Sequence, residues 1–95
     1  MPFTNGNMII ETRQLSDFNT IHINDNININ MIKSDSSFIE IRAGENLMPN
    51  IISEVVDDIL IIKNENIGNL FRDKNNSISA DIYYKSNINN IYYHS

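Results

Sequence analysis

Apolar and polar residues alternate along most of this chain, most clearly between Thr20 and Ala43. Ile21 and Ile23 form one alternating run, Ile27, Ile29 and Met31 a second, and Ile39, Ile41 and Ala43 a third. A strand points successive side chains to opposite faces, so a period of two buries one face and wets the other. Asn24-Asp25-Asn26 and Lys33-Ser34-Asp35-Ser36-Ser37 separate the runs with turn-forming residues. The stretch therefore predicts three short strands in succession. It also predicts a register. Ile21, Ile23, Ile29, Ile39 and Ile41 face the core, and His22, Asn28, Asn30, Glu40 and Arg42 face outward.

The same reading extends to both sides. Residues 1–7 form a lead-in, and Met8–Thr12 a first strand, with Leu15 and Phe18 as anchors behind it and Ser16-Asp17 as a turn. The domain body is drawn over 11–95, behind a flexible arm of residues 1–10 into which this first strand reaches. Gly44–Pro49 is a loop or a single helical turn, and its closing proline blocks a helix from running on into the next strand. Ile51–Val56 and Ile59–Lys63 flank Asp57-Asp58, which predicts a hairpin, although glycine is preferred at the second turn position. The run Ile59-Leu60-Ile61-Ile62 suggests burial on both faces. Residues 64–77 are irregular, with Leu70-Phe71 pinning the loop. Ile78–Lys85 and Ile91–His94 complete the set. Some eight strands spaced ~10 residues apart indicate an all-β domain without substantial helix, arranged as a sandwich, a roll or a solenoid-like stack.

Composition changes this picture little. More than a third of the chain is Ile or Asn, which supplies β-branched residues for strands and amides for turns. A net charge of −5, with no cluster of Lys or Arg, disfavours nucleic acid and anionic membrane surfaces as partners. With no cysteine, neither disulfides nor thiolate metal sites nor a cysteine nucleophile can form. No run approaches the ~20 apolar residues of a membrane-spanning helix, and no signal peptide opens the chain.

Residues that could carry chemistry are few. His22 projects from the polar face of its strand, and His94 sits at a fraying end. Asp57-Asp58 suits a turn better than an acid pair. Asp73–Asn76 offers oxygens but lacks a calcium-loop pattern, and Asn75-Asn76-Ser77 is a glycosylation sequon of low specificity. No nucleophile elbow, phosphate loop or zinc-protease motif is present. The expectation is a chain with no catalytic residue, cofactor or metal. The tyrosine pairs Tyr83-Tyr84 and Tyr92-Tyr93 are the candidate partner-binding residues. In each pair one ring faces the core and the other the surface, so neighbouring strands would present a small aromatic platform to a glycan or protein. The ordinary alternative is a cross-strand aromatic pair that stabilises the sheet.

One family shares this pattern. Arg13-x-Leu15-x-x-Phe18-x-x-Ile21-x-Ile23, then the strand at Ile27–Ile32, Ile39-Glu40-Ile41-Arg42-Ala43, Asn46-Leu47-Met48-Pro49-x-Ile51, Glu54-Val55 and Leu60-x-Ile62 occur in order. The pattern resembles the amino-terminal half of the autotransporter-adhesin head GIN domain. The resemblance implies an exported bacterial protein, at the cell surface or in the periplasm, with short strands in a right-handed β-helix-like stack. It also implies a structural or adhesion role without enzymatic activity. The family's Gly-Ser-Gly repeats are missing, so the chain reads as a fragment of a longer head domain or as a shortened relative. A rung left without a cap would expose a strand edge, so a homo-oligomer joined through that edge is expected. The competing reading is a small carbohydrate- or peptide-binding β-domain that uses an exposed edge or the tyrosine surface.

Overall fold

The computed structural model describes residues 6–24, 27–66 and 78–94. These contain eight strands: β1 (Met8–Gln14), β2 (Thr20–Asn24), β3 (Asn28–Lys33), β4 (Phe38–Gly44), β5 (Ile51–Val56), β6 (Ile59–Asn64), β7 (Ser79–Tyr84) and β8 (Asn90–His94). A 3-10 turn at Met48–Asn50 precedes β5, with Pro49 inside it. Leu70-Phe71, Asp73–Asn76 and the sequon lie outside the described residues.

The strands form two four-stranded sheets, with orders β1-β4-β7-β3 and β5-β6-β2-β8. Both sheets are mixed. β1 with β4, β4 with β7 and β5 with β6 are antiparallel, while β2 with β6, β2 with β8 and β3 with β7 are parallel. The layout is that of a two-layer sandwich. An all-parallel stack would not contain the three antiparallel ladders. One feature is nevertheless stack-like. The chain passes from the second sheet to the first along β2–β3 and again along β6–β7, with β2 parallel to β6 and β3 parallel to β7.

The core lies between the sheets. Ile21, Ile23, Ile39, Ile41, Leu60, Ile62, Ala80 and Ile82 are buried and meet there, with Phe18, Ile27, Leu47, Met48, Ile51 and Ile78 around them. The predicted register holds. Of the five inward residues, Ile29 alone is half-buried, because it lies on edge strand β3. Asn28, Asn30 and Arg42 are exposed, and His22 and Glu40 are half-buried on the outer faces. On β6, Leu60 and Ile62 are buried whereas Ile59 and Ile61 are half-buried, so one face of that run is enclosed and the other only partly covered.

Two boundaries move. β1 pairs from Met8 against Gly44, so residues 8–10 belong to the sheet and not to an arm. His94 lies in β8 and faces Asn24 across the ladder, so the last strand does not fray where expected. The hairpin at Asp57-Asp58 forms as predicted. Both aspartates take positive φ (52° and 67°), the geometry of the hairpin turn that matches strand twist. The Asp58 carbonyl then accepts the amides of Asn19 (2.9 Å) and Thr20 (3.3 Å), which fixes the entry to β2.

Candidate functional site

Parallel pairing of β2 with β8 sets His22 opposite Tyr92 and Asn24 opposite His94. Ile21 and Ile23 face the core, so His22 and the residues aligned with it face out. The His22 ring meets Tyr92 edge-on, with centroids 5.0 Å apart, and lies 5.8 Å from the His94 ring. Tyr92 stays 46% exposed and His94 is also exposed, so the cluster is open to solvent. It offers ring faces for stacking, and imidazole and phenol groups as hydrogen-bond donors and acceptors. The combination can hold a polar, ring-shaped or planar ligand against the sheet.

The four tyrosines do not form one platform. β7 lies in the first sheet and β8 in the second, so Tyr83-Tyr84 and Tyr92-Tyr93 belong to different layers. Tyr83 faces outward and stacks on Phe38, with centroids 4.2 Å apart and planes at 9°. Desolvation raises its phenol above the ordinary value of 10.0. The negative charges of Glu40 and Asp81 and a hydrogen bond with Glu40 add to the rise. Tyr84 turns inward against the core, with the Lys33 ammonium 5.6 Å from its ring. Tyr93 also turns inward, and its hydroxyl donates to the Ile27 carbonyl. Of the four, Tyr92 alone belongs to the outward aromatic cluster.

The cluster's two histidines are what sequence reasoning missed. Both were visible as residues, but their meeting depends on a parallel pairing between strands far apart in the chain. No local pattern encodes that pairing. Asp57 and Asp58 sit in their turn, away from the histidines in the ladder. Among the described residues, no three of His, Asp and Glu come together as a group that could hold a metal ion. No helix among them is long and apolar enough to cross a membrane.

Arg13 carries a different kind of importance. β1 turns Ile9, Glu11 and Arg13 toward the interior side, as its alternating burial shows. The guanidinium bonds Glu11 (2.5 Å), the carbonyls of Ile51 (2.6 Å) and Met48 (3.2 Å), and the Ser53 hydroxyl (3.0 Å). It thus ties the edge strand of one sheet to the edge strand of the other. No local signal marked it: Met8-Ile9-Ile10-Glu11-Thr12-Arg13-Gln14 shows no apolar–polar alternation, and the strand predicted there ended at Thr12.

Comparison with known proteins accounts for the fold. Residues 17–94 match the model of a family described as "Putative auto-transporter adhesin, head GIN domain". No curated protein matches the chain. A Bacteroides fragilis structure described as a "putative adhesin" superposes with a TM-score of 0.74 at 19% identity, covering 92% of this chain and 39% of that one. A second structure described as a "putative adhesin", from Parabacteroides merdae, gives a TM-score of 0.66 at 22% identity, covering 85% of this chain and 33% of that one. A Parabacteroides distasonis structure described as a "Putative lipid binding protein" gives 0.67 at 21% identity, covering 87% and 36%. This chain therefore spans between about a third and two fifths of the length of these relatives, and at such identities the likeness is one of fold.

Proposed function

From the membership of this chain in the auto-transporter adhesin head GIN domain family, we propose that it is an exported, non-enzymatic adhesin-like module at the cell surface or in the periplasm. Its recognition surface is the outer face of β2 and β8. The observation that carries the reading is the open cluster of His22, Tyr92 and His94. Tyr92 and His94, both beside His22, are carried on paired strands rather than on a loop, so binding there need not order a loop and saves the entropy that a flexible site would lose. The ligand class that suits them is a glycan, whose ring C–H faces stack on the aromatics while its hydroxyls bond imidazole and phenol. A protein partner with an exposed polar aromatic patch suits the same chemistry.

The test is a glycan array probed with the full chain, repeated with Tyr92→Ala, His22→Ala and Tyr83→Ala. Binding that falls at least about tenfold in the first two variants and persists in the third supports the reading. Binding that is absent, or that is lost with Tyr83 and kept with Tyr92, overturns it.

A further inference from the structure

His22 and His94 are the only imidazoles of the chain, and the fold brings them together. Parallel pairing sets His94 opposite Asn24, which follows His22 on the same face of β2. The two rings are therefore diagonal neighbours on adjacent strands. Their centroids lie 5.8 Å apart, with the planes tilted at 59°. The ladder from Thr20 to Asn24 and from Asn90 to His94 fixes both backbones. Tyr92 packs edge-on against His22 at 5.0 Å, which limits how far that imidazole swings away. Both histidines stand on the outer face of the sheet, so a strand added beside β8 would leave them in place.

The separation of the rings suits a shared ion. A neutral imidazole holds a late transition metal through a ring nitrogen at about 2.0–2.1 Å. Two such rings on one ion have centroids roughly 4.5 Å apart at a right angle and roughly 6.4 Å apart when opposed, once the nitrogen-to-centre distance is added. The 5.8 Å found here falls between these limits. Charge also admits a cation. The chain carries −5 overall. Lys63 follows Ile62, the partner of Ile23 on β6, and its ammonium is drawn to Glu65 at 3.2 Å.

We propose that His22 and His94 chelate one divalent late transition-metal ion, of the class of Zn²⁺, Ni²⁺ and Cu²⁺, across the β2–β8 ladder. Such ions favour imidazole nitrogen, whereas Mg²⁺ and Ca²⁺ demand sets of oxygens. Two imidazoles are fewer than the three or four protein ligands of catalytic and structural zinc sites, so water completes the shell. Asn24, opposite His94 on the same face, adds an amide oxygen beside that shell. Once one ring holds the ion, the ladder keeps the other at high effective concentration, which tightens the pair beyond either histidine alone. The water-filled positions can take oxygen or nitrogen donors from a partner. The expectation of a metal-free chain rested on ligand spacing along the sequence, and here strand pairing supplies the spacing instead. The proposal stands on ring geometry and not on the glycan reading.

Calorimetric titration of the untagged full chain with Zn²⁺ and Ni²⁺, and with Mg²⁺ as a control, tests it. The chain has no cysteine and no third histidine to compete. One Zn²⁺ or Ni²⁺ per chain at micromolar affinity is expected, and no uptake of Mg²⁺. His22→Ala and His94→Ala should each weaken binding about tenfold or more, because each leaves a single imidazole. Tyr83→Ala, in the other sheet, should leave it unchanged. Circular dichroism confirms that each variant keeps its sheet. As an independent readout, Ni²⁺ should broaden the imidazole resonances of His22 and His94 at the same molar ratio. Absence of Zn²⁺ and Ni²⁺ binding overturns the proposal. So do two independent weak sites, each lost with its own histidine, or one ion bridging two chains. The titration contains no glycan, and the glycan array is read in the presence of a chelator, so either reading can fail without the other.

Discussion

Arg13 donates to the backbone carbonyl of Ile51 across the gap between the two sheets, at 2.6 Å. The two residues stand on the edge strands of different layers, so this contact and its neighbours close one side of the sandwich. The guanidinium fork makes this closure feasible. It spreads donors over two carbonyls, a hydroxyl and a carboxylate, which a point-charge ammonium cannot do.

Arg13→Ala should therefore destabilise the fold by about 2–3 kcal/mol, through carbonyls left without donors in a partly buried site. Arg13→Lys should recover only part of this. Urea unfolding of the three proteins measures both differences. A loss below about 0.5 kcal/mol in Arg13→Ala would mean that water replaces the clasp.

Asp58 sits at φ 67°, a region that costs a residue with a Cβ roughly 1 kcal/mol relative to glycine. Asp58→Gly should raise stability by a few tenths to about 1 kcal/mol, the gain being trimmed by glycine's greater freedom in the unfolded chain. The backbone carbonyl that caps Asn19 and Thr20 is retained. Thermal and urea unfolding would register the change, and a fall in stability would show that the carboxylate itself supports the turn.

Tyr83 supplies a pH dependence. Its phenol titrates above the ordinary value of 10.0 in the folded chain, so the folded state holds its proton more tightly than the unfolded state does. The stability this confers is fully present below about pH 10 and is lost as pH rises through the folded value. Tyr83→Phe should remove this component of alkaline destabilisation. Ultraviolet titration of tyrosinate should show one tyrosine ionising late in the native protein and missing from the variant.

Ser37 is a buried hydroxyl that joins three segments. It donates to Asp17 at 2.8 Å and accepts the Lys85 amide at 3.3 Å, while its carbonyl takes the Leu15 amide at 3.1 Å. Ser37→Ala keeps the backbone bond and loses the other two, which should cost about 1–2 kcal/mol. Equilibrium unfolding provides the number, and a neutral result would place these bonds within reach of water.

What could be read from the chain alone was the local physics. The alternation of Ile with Asn, His, Glu and Arg identified the strands and their buried faces, because the strand period is a property of the backbone itself. The Asp57-Asp58 hairpin was legible for the same reason, since turn and flanking runs are contiguous in sequence. Leu15 and Phe18 were correctly singled out as anchors, the first half-buried and the second buried in the core. The tertiary structure alone decided which strands became neighbours. Tyr83 and Tyr92 lie in different sheets because the chain crosses between layers after β7, and no residue pattern records that crossing. His22 met His94 for the converse reason: parallel pairing joins segments far apart in sequence, and its register is set by the whole core. The same holds for the Arg13 clasp. The charge is written in the sequence, but that it reaches from β1 to β5 emerges only once the sheets have stacked, because an edge exists only in relation to the strands beside it.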